Sequence, residues 1–98
     1  MRVLVKMQMP VEAGNAAVKD GSLPRTIEAL MKEHNPEAAY FFPENGKRTA
    51  LFVFDLADPS RVPVVAEPLF HNLNASVSIT PVMNLEDLQA GLREVGSI

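Results

Sequence analysis

Residues 38–55 read AAYFFPENGKRTALFVFD. Asn45-Gly46 lies between two apolar runs, and this dipeptide is the preferred turn of a two-residue hairpin because both central positions need positive φ. The turn sets the register. Glu44 is expected opposite Lys47, Phe42 opposite Thr49, Tyr40 opposite Leu51 and Ala38 opposite Val53. Side chains alternate along a strand, so the other face carries Ala39, Phe41, Ala50, Phe52 and Phe54. Both faces are largely apolar, which a sheet with one wet face would not require. Something must cover each side.

The flanking segments supply the cover. Residues 2–9 alternate Val3, Val5, Met7 and Met9 against Leu4, Lys6 and Gln8, which is strand period, and Pro10 ends the run. VEAGNAAVKD, residues 11–20, reads as a short helix that Gly21 can close in a left-handed cap. Ser22 can open a second helix, with Pro24 tolerable in its first turn. Ile27, Leu30, Met31 and His34 share one face of it, and Asn35-Pro36 stops it.

Beyond the hairpin, Asp58 or Ser60 can cap a helix to about residue 72, with Val62, Val65, Ala66, Leu69, Phe70 and Leu73 at helical spacing. Pro68 inside it predicts a kink or break. Residues 75–82 alternate Ala75, Val77 and Ile79 with Ser76, Ser78 and Thr80, a fourth strand. Asn84 and Asp87 make a capping box for a last helix, whose buried stripe is expected to be Leu85, Leu88, Leu92 and Val95.

The order β-α-β-β-α-β-α predicts one α+β domain over residues 1–98. Its architecture is a ferredoxin-like four-stranded antiparallel sheet with helices on one face. The second face, also apolar at the hairpin, would be buried by another copy. Two sheets packed face to face make a homodimeric α+β barrel.

Composition removes several function classes. The 98 residues are 47% hydrophobic, a globular balance. No apolar run approaches the roughly 18–20 residues needed to span a bilayer, so no membrane partner is expected. There is no cysteine, which rules out disulfides, thiol nucleophiles and cysteine-ligated metals and points to the cytoplasm. The net charge is −3 and the nine Lys and Arg are scattered, so there is no footprint for nucleic acid.

Four groups of side chains are candidates for a site. Glu12, Asn15 and Lys19 share a helical face among small residues; Lys19 would hold an anion and Asn15 would orient it. Their bland reading is a solvated face. Glu67 and His71 stand at i, i+4, where a carboxylate can orient an imidazole as general base; the bland reading is an exposed helix pair. Tyr40 presents a phenol in mid-strand and Arg48 can bind a carboxylate, but alternation puts them on opposite faces. Lys6, Gln8, Ser76, Ser78 and Thr80 form a polar stripe that suits a dimer interface or a cavity wall. His34 reads as a helix C-terminal residue. No spacing makes a metal motif, and no phosphate loop or dinucleotide fingerprint occurs, so no cofactor is expected.

Three stretches, MPVEAGNAAVKDGSLP, PEAAYFFPENGKRTALFVFDLADPS and AEPLFHNLNASVSITPVMNLEDL, resemble a family of small, mostly bacterial proteins in the dimeric α+β barrel superfamily. The resemblance runs from about Val3 to Leu92. That superfamily includes muconolactone isomerases, chlorite-dismutase-like haem proteins, cofactor-independent quinone-forming monooxygenases and stress-responsive barrel proteins. It shares a container and not a chemistry. The resemblance implies a homodimer with a small cavity between each sheet and its helices or loops. The expected function is small-molecule binding, with cofactor-independent isomerisation or oxygenation of a small organic acid or aromatic compound as the catalytic form. In that form Glu67 is the general base, Tyr40 a hydroxyl donor, His71 a proton relay, and Glu12, Asn15, Lys19 and Arg48 hold the ligand. The alternative is a non-catalytic dimeric sensing, stress-response or structural module.

Overall fold

Alternating apolar residues make Arg2–Gln8 a strand, β1, and the same alternation decides where it lies. Val3, Val5, Met7 and, just past the strand end, Met9 are at most 2% exposed. A strand buried so completely on one side must be central. In the computed structural model, which describes residues 1–96, β1 pairs antiparallel with β3 (Lys47–Asp55) on one side and β4 (Ser76–Pro81) on the other. β2 (Ala38–Glu44) pairs with β3. The strand order is β2-β3-β1-β4, the ferredoxin-like antiparallel sheet that the element order implies. The free edges are β2, which contains Pro43, and β4, which ends at Pro81.

The hairpin forms in the expected register, from Glu44 opposite Lys47 to Ala38 opposite Val53. Asn45 and Gly46 take φ of 54° and 74°, the mirror-image turn whose twist matches the strands. The face carrying Ala50, Phe52 and Phe54 turns toward the helices, and Phe52 and Phe54 are completely buried.

Three helices cover that face: α1 (Val11–Asp20), α2 (Ser22–His34) and α3 (Val62–Leu73). They contribute Ala17, Leu30, Val65, Leu69 and Leu73 to a core built on β1 and β3. The αL residues Gly21, Asn35 and Asn74 close α1, α2 and α3 in turn. Ser22 is the first residue of α2 and not its cap. Its N–H donates to the Asp20 carboxylate at 2.8 Å, bracing the tight α1–α2 corner. Asp58 caps a 3-10 turn, Pro59–Arg61, that leads into α3. Pro68 does not interrupt α3, which continues through it to Leu73. The missing N–H costs one helical bond, and the packing of Val65, Leu69 and Leu73 on the sheet outweighs it.

The last helix, α4 (Leu85–Glu94), has the expected capping box: Asp87 N–H donates to Asn84 Oδ1 at 2.8 Å, and Asn84 N–H donates to Asp87 Oδ2 at 3.1 Å. Its apolar stripe, however, is not buried. Leu85 is 67% and Leu88 41% exposed, Leu92 is half-buried, and Val95 beyond the helix is 74% exposed. α1–α3 already fill the helical face, and α4 leaves from the end of edge strand β4. It touches the sheet through a 3.6 Å contact between Asp87 and Arg2. The radius of gyration, 15.6 Å, exceeds the roughly 13 Å of a compact 100-residue domain accordingly.

The second face of the sheet divides in two. Ala38, Leu4, Leu51 and Val53 are half-buried there and Tyr40 is 66% exposed, an apolar patch over β2, β3 and the start of β1. Lys6, Ser76, Ser78 and Thr80 make the polar remainder over β1 and β4.

A Cβ at Gly46 would meet no atom within 4 Å, so the substitution Gly46→Ala isolates the cost of positive φ. We expect it to lower stability by about 1 kcal/mol, measured by urea denaturation. No change would mean that the turn does not hold the register.

Candidate functional site

Arg48 and α1 meet because Gly14 has no side chain. A Cβ on Gly14 would lie 2.9 Å from Arg48 Nη1 and 3.3 Å from Arg48 Cδ. The arginine stem therefore lies flat against the helix, and its Nη1 donates to Asn15 Oδ1 at 2.9 Å. Beside it runs a groove of about 330 Å³ at the hairpin end of the helical face. Its lining includes Met7, Met9, Leu23, Phe41, Ala50 and Arg48 itself. The groove exists because the helices leave β2 partly uncovered: Phe41 is 59% exposed and meets Phe52 edge to face at 5.8 Å.

Like Lys19, Arg25, Lys32, Lys47 and Arg93, and unlike Arg2, Lys6 and Arg61, Arg48 has no ion-pair partner among the described residues. Arg2 pairs with Glu37 at 2.6 Å, Lys6 with Glu44 at 2.5 Å and Arg61 with Glu33 at 2.9 Å. Arg48 rests on a neutral amide, and among the described residues no carboxylate lies within ion-pair distance of it. A guanidinium keeps five donors and a full charge at any pH proteins meet. It has spare capacity for an anion.

Of the three residues expected to cluster on α1, only Asn15 joins Arg48. Glu12 and Lys19 are exposed on the same helix. Glu67 and His71 do meet, Oε2 to Nε2 at 3.0 Å, with side chains 54% and 79% exposed on the outer surface of α3. Tyr40 lies across the sheet from all of these, so Glu67, His71 and Tyr40 do not share a site. The polar stripe is largely satisfied from within: Gln8 Nε2 donates to Glu44 O and Thr49 Oγ1, each at 3.2 Å, and Ser76 Oγ donates to Gln8 O at 3.3 Å.

A second feature involves Leu30 and His34, read from sequence as one face of a helix, and Pro68, read as a kink, with residues the sequence did not single out. Thr26, Leu30 and His34 on α2 face Asn72, Pro68 and Val64 on α3 across a cleft of about 290 Å³. Asn72 Nδ2 donates to Thr26 Oγ1 at 3.4 Å and closes one end. The His34 ring stacks on Phe54, centroids 4.8 Å apart. Burial holds the His34 pKa below the usual imidazole value; Glu33 opposes this and Arg61 adds to it. The signal was present as two i, i+4, i+8 ridges, but nothing local shows that the ridges face one another.

Among the described residues no three of His, Asp and Glu are placed to hold a metal ion, and no helix is long and apolar enough to cross a membrane. No protein-family model and no curated protein matches this chain. The functional reading therefore rests on the geometry.

The lowered His34 pKa makes a signed prediction. The unfolded chain takes up the proton first, so stability is full above the ordinary histidine value of about 6.5 and falls as pH drops from there toward the folded value. Asp20 and Asp58, held low by their hydrogen bonds to Ser22 and Ser60, lose their contribution only below about pH 4. We expect the urea midpoint to fall between pH 7.5 and 5.5, and His34→Gln to flatten that slope. An equal slope in the variant would clear His34 of the effect.

Proposed function

We propose that the protein binds a small organic acid, with the carboxylate on Arg48 and the apolar body in the groove between Leu23 and Phe41. The observation that carries this is a guanidinium at the mouth of an apolar groove, bonded to an amide and without a carboxylate partner among the described residues. Arginine matches a carboxylate with two parallel donors, and apolar walls with a few placed polar groups are the usual makeup of a ligand pocket. Asn15 sets the guanidinium plane, and Gly14 lets it reach that position. The groove lining lacks imidazole, carboxylate and amine groups, which favours capture over proton transfer. The acid-binding role thus fits a sensing or carrier module better than an isomerase or oxygenase that would use Glu67, His71 and Tyr40.

Benzoate is the simplest probe. Isothermal titration should give saturable binding, and Arg48→Gln should weaken it by roughly 10- to 100-fold, the worth of a charge-assisted hydrogen bond. Gly14→Ala should also weaken binding by displacing the guanidinium, while leaving the helix as stable or more so. Unchanged affinity in Arg48→Gln would end this reading.

The second face of the sheet supports a further statement: two copies pack through it as a homodimer of the α+β barrel kind. The support is the apolar patch of Leu4, Leu51, Val53 and Tyr40, larger than a solitary sheet needs on its wet side. Sedimentation equilibrium should return the mass of two chains, and Leu51→Glu should return one. A wild-type mass of one chain at micromolar concentration refutes the dimer.

A further inference from the structure

The α2–α3 cleft lies on the outer side of the helical layer, away from the groove at Arg48. Thr26, Leu30 and His34 line one wall and Val64, Pro68 and Asn72 the other, and Asn72 bonds to Thr26. Val65 and Leu69, both essentially buried, form the floor. A volume of about 290 Å³ is generous for one ring, since an aliphatic cavity of about 150 Å³ is enough for benzene.

Pro68 gives this apolar cleft a polar handle. Proline has no N–H, so the carbonyl of Val64, four residues earlier, lacks its i+4 donor. Val64 and Pro68 both line the cleft. A backbone acceptor without its helical donor therefore belongs to the stretch of α3 that lines the cleft. The Asn72 side chain donates to Thr26, which leaves the Asn72 carbonyl and the Thr26 hydroxyl hydrogen available at the other end. The charges at the rim are already matched: Glu33 pairs with Arg61 at 2.9 Å. Apart from Glu33 and His34, the lining residues carry no ionisable side chain.

We propose that this cleft is a second small-molecule site, for a neutral single-ring compound carrying one hydroxyl, phenol being the simplest case. The ring lies between Leu30 and Pro68, over Val65 and Leu69. The hydroxyl donates to the Val64 carbonyl. The site differs from the Arg48 groove in what it selects: the same ring with a carboxylate belongs in the groove, and with a hydroxyl in the cleft. It does not depend on the organic-acid reading, because no residue is shared between the two linings.

The test is a titration of the 15N-labelled full chain with phenol, with benzoate and with benzene, followed by amide shift mapping. Phenol should produce saturable shifts on α2 and α3 around Leu30, Leu69 and Asn72, and benzoate should not. Ala29→Phe, which fills the cleft from its exposed rim, should weaken phenol binding at least tenfold with the rest of the spectrum preserved. Pro68→Ala supplies the missing N–H. It should weaken phenol several-fold more than benzene, which loses only the apolar contact of the proline ring, a split that a merely greasy surface would not show. The proposal is overturned if phenol shifts do not saturate, if they map to Leu23 and Phe41, or if Ala29→Phe leaves them unchanged. Equal loss of phenol and benzene in Pro68→Ala overturns the role of the carbonyl.

Discussion

The one-sided burial of β1 is the constraint on which everything else depends. Val3, Val5, Met7 and Met9 have almost no contact with water, and each such side chain contributes on the order of 1.5–3 kcal/mol when fully buried. To keep them dry, the strand must be bonded on both edges and roofed by helices. β3 supplies Phe52 and Phe54 alongside, β4 closes the other flank, and Leu69 and Leu73 of α3 seat on top. The hairpin then has to lie at one margin of the sheet, where the helical roof thins out. The groove under Phe41 is a consequence of that geometry.

An unpaired charge alone does not mark a site, since Lys19, Arg25, Lys32, Lys47 and Arg93 also lack a carboxylate partner among the described residues. Arg2, Lys6 and Arg61 are each matched by a carboxylate. Arg48 is held by an amide, which positions it without neutralising it. The Glu67–His71 pair has the composition of a catalytic dyad and the setting of a surface ion pair: both groups are largely in water, where such contacts are weak and screened. What distinguishes the two arrangements is the apolar space next to one of them.

The fold was legible from sequence to a depth set by how local each signal is. The register of the hairpin followed from two residues, Asn45 and Gly46, because turn length and register are coupled. The capping box at Asn84 and the stop at Asn35 are equally local, and both stand as read. Less local features escaped. Pro68 suggested a broken helix, yet burial of Leu69 and Leu73 carries α3 through it. The stripe of α4 is real as a pattern, but the pattern cannot say whether a seat remains for it once three other helices have packed. The meeting of Arg48 with Asn15 joins residues 33 positions apart, and no periodicity announces it. Asn15, Lys19 and Glu12 share a helix, and only the approach of β3 singles out Asn15.

The two prolines at the sheet margins bear on how the molecule behaves in a crowd. In the hairpin, Glu44 and Lys47 form the closing pair, so Pro43 falls at the next position, where the nitrogen points away from β3. At the other margin Val82 N–H donates to Arg2 O, which turns the Pro81 nitrogen outward in the same way. Each free edge thus lacks a donor where an incoming strand would seek one. Fibril growth proceeds by adding strands edge to edge, and here both edges are blunted. The apolar sheet face and the unseated apolar helix are thus not joined by a sheet margin open along its whole length to a further strand.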